Sequence, residues 1–187
     1  MKRTLLAVIA VGTLAMATAP TLSAQGIRWG VNAGVLMPMG DYNKVDKLGW
    51  ILGGGGTYWL TGGMLGVRAD LAYGQTKHDS AGPCGCAGST KIVGGMASLV
   101  YGLGSSAASA RPFVTGGLGL YNVKIDVTGV AGSASESKVA FALGAGVMIK
   151  AGSGGMRIVI ATRYTSVATS GSSTTFLPIT VGLTFGK

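Results

Sequence analysis

The chain has few charged residues. Only 11% of its 187 residues are Asp, Glu, Lys or Arg, and just 6 are acidic. A water-facing domain carries roughly a quarter charged residues, so an ordinary soluble domain fits poorly. Disorder is excluded, because it needs low hydrophobicity and high charge, whereas 48% of this chain is hydrophobic and mean hydropathy is +0.48. Long apolar runs are missing beyond residue 19, which excludes a bundle of membrane helices. The 34 glycines show no three-residue period, which excludes a collagen helix. One histidine and two cysteines leave little for a metal site. Glycine pairs such as Gly117-Leu118-Gly119 and Gly144-Ala145-Gly146 lack the third glycine and following helix of a nucleotide site. No Walker motif or paired-carboxylate site is present, and no basic helix suited to nucleic acid.

The one long apolar run is an address. Met1-Lys2-Arg3 supplies a positive start, residues 4–19 are almost wholly apolar or small, and Pro20 ends the run. Leu22-Ser23-Ala24 then offers small residues where a signal peptidase reads. Residues 1–24 are thus expected to be a cleaved signal peptide. A permanent anchor needs about 20 apolar residues, and no cysteine follows as a lipoprotein signal requires. Losing Lys2 and Arg3 lowers the net charge from +9 to +7.

What remains, residues 25–187, alternates. Ile27, Trp29, Val31, Ala33, Val35 and Met37 interleave with Arg28, Gly30, Asn32, Gly34 and Leu36. A period of two is a strand with unlike faces. The pattern returns at 65–74, 138–150, 157–164 and 176–185, and less cleanly at 49–60, 91–103 and 112–127. The run Gly53-Gly54-Gly55-Gly56 hides the phase of Tyr58 and Trp59. These are eight strands of about ten residues, where globular strands average five or six and a tilted bilayer crossing takes about 9–11. Short connections at 61–63, 104–111 and 152–155 alternate with longer polar ones at 39–48, 78–90, 128–137 and 168–175. The layout predicts long loops outside the cell and both termini in the periplasm.

A sheet in hydrocarbon must close, because every backbone N–H and C=O has to find an internal partner. The fold expected is therefore an all-β, eight-stranded antiparallel up-and-down transmembrane β-barrel, apolar outside and polar within. Aromatic residues fall in two groups. Trp29, Tyr101, Phe113 and Phe185, with Tyr58 or Trp59, lie near the short-turn ends, and Trp50, Tyr73, Tyr121, Phe141 and Tyr164 near the long-loop ends. Two interfacial girdles are expected from them.

Three local marks add a likeness. They are Arg111-Pro112-Phe113-Val114-Thr115-Gly116-Gly117-Leu118-Gly119-Leu120-Tyr121, the pair Arg163-Tyr164, and the closing Ile179-Thr180-Val181-Gly182-Leu183-Thr184-Phe185. With them the chain resembles the small eight-stranded outer-membrane barrels, which include the OmpA transmembrane domain, OmpX-like proteins and opacity-type adhesins. The resemblance implies the bacterial outer membrane, and it implies Phe185 as the signal read by the barrel-assembly machinery. Here Phe185 precedes Gly186-Lys187, a departure from a strictly terminal aromatic.

The alternation sends Arg28, Asn32, Arg68, Asp70, Ser98, Asn122, Lys124, Arg157 and Arg163 to the lumen. Eight strands leave room for little more than side chains. Arg68, Asp70 and Arg163 are expected to form a plugging ionic network, although the inward glycines could leave room for water. Lys44, Lys47, Lys77 and Lys91, with Lys124 and Lys138, form a rim suited to lipopolysaccharide phosphates or simply to water. Cys84-Gly85-Cys86 suggests a local, strained disulfide or free thiols, with metal binding a weaker alternative. His78-Asp79-Ser80 is read as the start of a polar loop rather than a triad.

The expected role is structural or surface-interacting, without catalysis or cofactor. A narrow porin-like channel and a lipid-A-modifying enzyme are the alternatives. Expected partners are outer-membrane lipid, lipopolysaccharide, the barrel-assembly machinery and periplasmic chaperones, not nucleic acid. The chain is expected to act as a monomer.

Overall fold

The structure, a computed structural model, describes residues 26–60, 63–78, 87–128, 133–152, 155–169 and 172–186. The signal segment 1–24, Cys84-Gly85-Cys86, Asp79 and Ser80 lie outside the described residues.

Eight strands follow one another: β1 (Arg28–Met39), β2 (Gly49–Trp59), β3 (Leu65–Lys77), β4 (Gly88–Gly102), β5 (Ala110–Val127), β6 (Ser133–Lys150), β7 (Arg157–Thr169) and β8 (Ser172–Phe185). Each pairs antiparallel with its sequence neighbours, and β8 returns to β1 with Trp29 opposite Phe185, so the barrel is closed. No sheet edge remains to present unpaired backbone groups to hydrocarbon. Among the described residues no helix is long and apolar enough to cross a membrane, so any crossing is made by strands.

Alternation fixes the faces. Leu71 is 73% exposed, and Leu118, Leu120 and Leu143 are each 65% exposed. Val31, Leu52, Leu99, Val139 and Val181 share that outward face. Contiguous apolar surface on this scale marks an interaction site on a soluble protein; around a whole barrel it marks lipid. The hidden phase of β2 resolves with Ile51 inward and buried and Trp50 and Leu52 outward. Trp59 therefore turns inward, where it packs on a buried cluster, and Tyr58 turns outward.

The girdles hold with corrections. Trp29, Tyr101 and Phe185 are exposed near the end that carries the termini; Trp50, Tyr73, Phe141 and Tyr164 are exposed near the other. Trp50 lies 5.4 Å from Tyr73, and Phe141 6.5 Å from Tyr164. Phe113 and Tyr121, however, are buried inside. They belong to the inward phase of β5, and position along the strand was a poorer guide than phase.

The loop end also differs from expectation. Segments 133–137 and 172–175, expected as loop, extend β6 and β8, and β7 runs on to Thr169. Their backbones pair although their side chains do not alternate in polarity. Long and short connections consequently alternate only as far as β5; beyond it, those at 128–132 and 170–171 are no longer than the ones at the termini end. Asn122 and Lys124, expected in the lumen, face outward. Asn122 Nδ2 donates to Ser135 and Ser137 Oγ at 2.9 Å, and Lys124 Nζ lies 3.4 Å from Asp126. Just above Leu120 and Val139 the outer surface thus turns polar, which places the upper boundary of the lipid-facing belt.

Candidate functional site

The lumen is the place where chemistry could occur, and it is filled in layers from the loop end to the termini.

At the loop end, Gly40 takes φ +61°, a conformation suited to glycine. It turns the chain after β1 into a 3₁₀ helix, Gly40–Lys44. That turn lowers Tyr42 into the mouth, and Asp46 follows it, 2% exposed. The Asp46 carboxylate accepts from Thr76 Oγ1 at 2.7 Å and from Thr90 Oγ1 at 2.9 Å. Both hydroxyl protons are thereby used. Tyr42 OH, 2.6 Å from Thr76 Oγ1, and His78 Nε2, 3.3 Å from Thr90 Oγ1, must then be donors. His78 Nε2 lies 3.9 Å from Asp46 Oδ2, and Nδ1 is buried without a hydrogen-bond partner. Burial pushes the Tyr42 phenol well above its ordinary range, so it remains a neutral donor.

Below lies an apolar layer of Leu36, Ile51, Ile92, Met96, Tyr121, Val123, Ala140, Ala142, Val167 and Phe176. Leu36, Val167 and Phe176 are 0–1% exposed. The rings of Tyr121 and Phe176 meet edge to face at 6.0 Å. Inward glycines do not leave this space open: a Cβ at Gly94 would fall 2.4 Å from the Tyr121 ring. Glycine is required there so that the ring can lie across the neighbouring strand.

Next comes the ionic layer. Arg68 Nε donates to Asp70 Oδ1 at 2.6 Å, and Arg163 reaches Asp70 Oδ2 at 3.4 Å and Met96 Sδ at 3.4 Å. A cavity of about 50 Å³ adjoins it, lined in part by Asn32, Arg68, Asp70, Tyr121 and Arg163. That is room for a few waters. A second apolar group of Val100, Phe113, Met148 and Val159, with Trp59 and Ala161, lies beneath.

Three arginines finish the termini end. Arg111 NH2 donates to Gly63 O at 2.6 Å and Gly102 O at 3.2 Å, with its guanidinium 4.8 Å from the Trp59 ring centroid. Arg157 NH2 donates to Ser106 O at 2.6 Å, and Arg28 NH1 to Gly155 O at 2.9 Å. Each arginine holds a different hairpin turn.

The rim lysines are largely occupied. Lys44 pairs with Asp41 at 2.8 Å, which holds that carboxyl below and that ammonium above their ordinary values. Lys91 meets Asp126 at 3.0 Å, and Lys138 meets Glu136 at 2.8 Å. The Lys47 backbone N–H donates to Lys77 O at 2.8 Å. Lys77 and Lys91 stand on the outer face of β3 and β4. Phe185 is outward and 45% exposed, opposite Trp29. Among the described residues, no group of three His, Cys, Asp or Glu side chains is placed to hold a metal ion.

The mouth network escaped sequence reading because Asp46 and Tyr42 sit in a connection without period. Its other half was visible, since Thr76, His78 and Thr90 continue the inward phases of β3 and β4.

Residues 4–185 match a known family, the outer membrane protein beta-barrel domain. Among solved structures, Neisserial surface protein A aligns with a TM-score of 0.63 at 13% identity, over 87% of this chain and 97% of that one. The N-terminal β-barrel domain of Pseudomonas aeruginosa OprF aligns at 0.53 and 15%, over 86% and 98%. OprG from Pseudomonas aeruginosa aligns at 0.52 and 16%, over 87% and 95%. No curated protein matches the sequence significantly.

Proposed function

The chain belongs to the outer membrane protein beta-barrel domain family, and from that premise we propose that it is a sealed, non-enzymatic barrel with a structural or surface-interaction role. Its place is the bacterial outer membrane. On this reading residues 1–24 direct export and are removed, Phe185 is the mark for the assembly machinery, and periplasmic chaperones carry the chain there. The barrel acts as a monomer, with termini in the periplasm and the mouth network facing outward.

The observation that carries the reading is the apolar layer around Leu36, Ile92 and Phe176. A hydrated ion passing it would lose its water to a region without polar partners, at a cost of many kcal/mol. The Arg68, Asp70 and Arg163 network is then a second barrier, and the lumen serves as a packed core rather than a path. Lipid-A chemistry finds no support at His78, whose ring is turned inward and buried against Asp46 and Thr90. On the outside, Lys77, Lys91 and Lys124 stand on adjacent strands just above Tyr73 and Leu120, where lipopolysaccharide phosphates would lie. Lys44 and Lys47 belong instead to the mouth turn and its exit.

Purified barrel in planar bilayers tests the sealed lumen. We expect no steady conductance above that of the bare membrane; a steady ionic current would replace this reading with a narrow channel. Lipid A from cells with and without the protein should have the same mass spectrum, and a difference lost in His78→Ala would establish an enzyme.

A further inference from the structure

We propose that the termini end of the lumen is an anion site for a phosphate group. Arg111 and Arg157 are 4% and 7% exposed. Arg28, Arg111 and Arg157 lie on the inward phases of β1, β5 and β7, and Arg157 stands opposite Thr184 on β8, one residue from the Trp29–Phe185 pair. Their acceptors adjoin as well: a Cβ on Gly63, whose carbonyl holds Arg111, would lie 3.5 Å from Ser106, whose carbonyl holds Arg157.

Among the described residues no carboxylate lies at this end. Asp70 is the nearest along the barrel, and it is spent on Arg68 and Arg163. Buried charges normally have a partner of opposite sign. Backbone carbonyls supply dipoles to these three guanidinium groups, but no neutralising charge. Arg111 Nε is buried without a hydrogen-bond partner and lies against β4, where a Cβ at Gly102 would fall 2.6 Å from it. Arginine's fixed fork of donors suits phosphate oxygens two at a time. A phosphate seated among Arg28, Arg111 and Arg157 would supply the missing charge and occupy donors the turns leave over. The side that holds the termini faces the periplasm, where such a group comes either free in solution or on an inner-leaflet phospholipid.

The test uses the full barrel folded in nonionic detergent. Inorganic phosphate is titrated against chloride at equal ionic strength, with heat-dependent gel migration giving the unfolding midpoint and ³¹P NMR giving binding. Phosphate should raise the midpoint by a few degrees more than chloride, since a ligand of the folded state stabilises it. Arg28→Gln, the most exposed of the three changes, should weaken phosphate binding by about tenfold or more, as loss of one charged hydrogen bond does. Arg157→Gln should do the same, while Arg68→Gln in the mid-barrel layer leaves the phosphate increment intact. Nanodiscs separate the sources. If phospholipid headgroups fill the site, added phosphate has no further effect in phospholipid nanodiscs and retains its effect in the nonionic detergent; a free ion acts equally in both. An increment no larger than chloride's, or one that survives both Arg28→Gln and Arg157→Gln, overturns the proposal.

Discussion

The two ends of this barrel are closed by opposite means. At the loop end every described carboxylate outside the mid-barrel layer is engaged: Asp41 with Lys44, Asp46 with two threonines, Asp126 with Lys91, Glu136 with Lys138. At the other end three arginines are tied to the carbonyls of three turns and, among the described residues, meet no carboxylate. Equal closure in shape therefore hides unequal completeness in charge. Among the described residues, the carboxylates of one end are met by its own side chains, whereas the arginines of the other are met by backbone carbonyls alone.

Between the ends, stability rests on packing, and there the largest effect is expected. Phe176→Ala removes a 1% exposed ring from the upper apolar layer. It should cost about 3–5 kcal/mol, read by urea unfolding from vesicles. Phe141→Ala on the lipid face should cost markedly less.

Depth along the outer face comes next. Leu71→Arg places a charge on the most exposed apolar position and should cost about 2–4 kcal/mol, whereas Gln75→Arg, near the upper boundary, should cost about 0–1 kcal/mol. Equal costs would mean that the belt has no boundary there.

Asp46→Ala strands two buried threonine hydroxyls and should cost about 1–3 kcal/mol, whatever anion is present. Arg157→Gln in phosphate-containing buffer should lose stability that it does not lose in chloride. If both variants respond alike to phosphate, the contrast between the ends fails.

Smaller effects follow at the mouth surface. Burial raises the Tyr42 phenol above its ordinary value, so the unfolded chain, ionising near about pH 10, releases that proton first. The stability this phenol contributes is present below that pH and declines above it. Tyr42→Phe should therefore show a shallower alkaline decline of the unfolding midpoint. Lys91→Ala, at an exposed pair, should leave the midpoint unchanged.

Much of this was legible because lipid imposes a strict period of two on the outer face. Leu65, Val67, Leu71 and Tyr73 declare β3 without any knowledge of its partners. Inside the barrel no such rule operates. Leu36, Ile51, Ile92 and Phe176 interrupt the polar phase of four different strands, and only the register joins them into one layer. Above the membrane both faces of a strand can be polar, so the serine-rich segments 133–137 and 172–175 carry no period and read as loops. Phe113 and Tyr121 were misplaced for a related reason. An aromatic ring near a strand end suits a girdle, but it suits equally a lumen that provides a glycine, as Gly146 does for Phe113 and Gly94 for Tyr121.

The most direct measurement is a nitroxide scan along residues 65–77 of β3 in bilayers, with Cys84 and Cys86 replaced by serine. Collision with oxygen should be high at 65, 67, 69, 71 and 73 and low at 66, 68, 70, 72 and 74, and a water-soluble nickel complex should take over beyond 75. Oxygen access without that two-residue period, or nickel reaching 68 and 70 freely, would contradict a lipid-clad barrel with a filled interior.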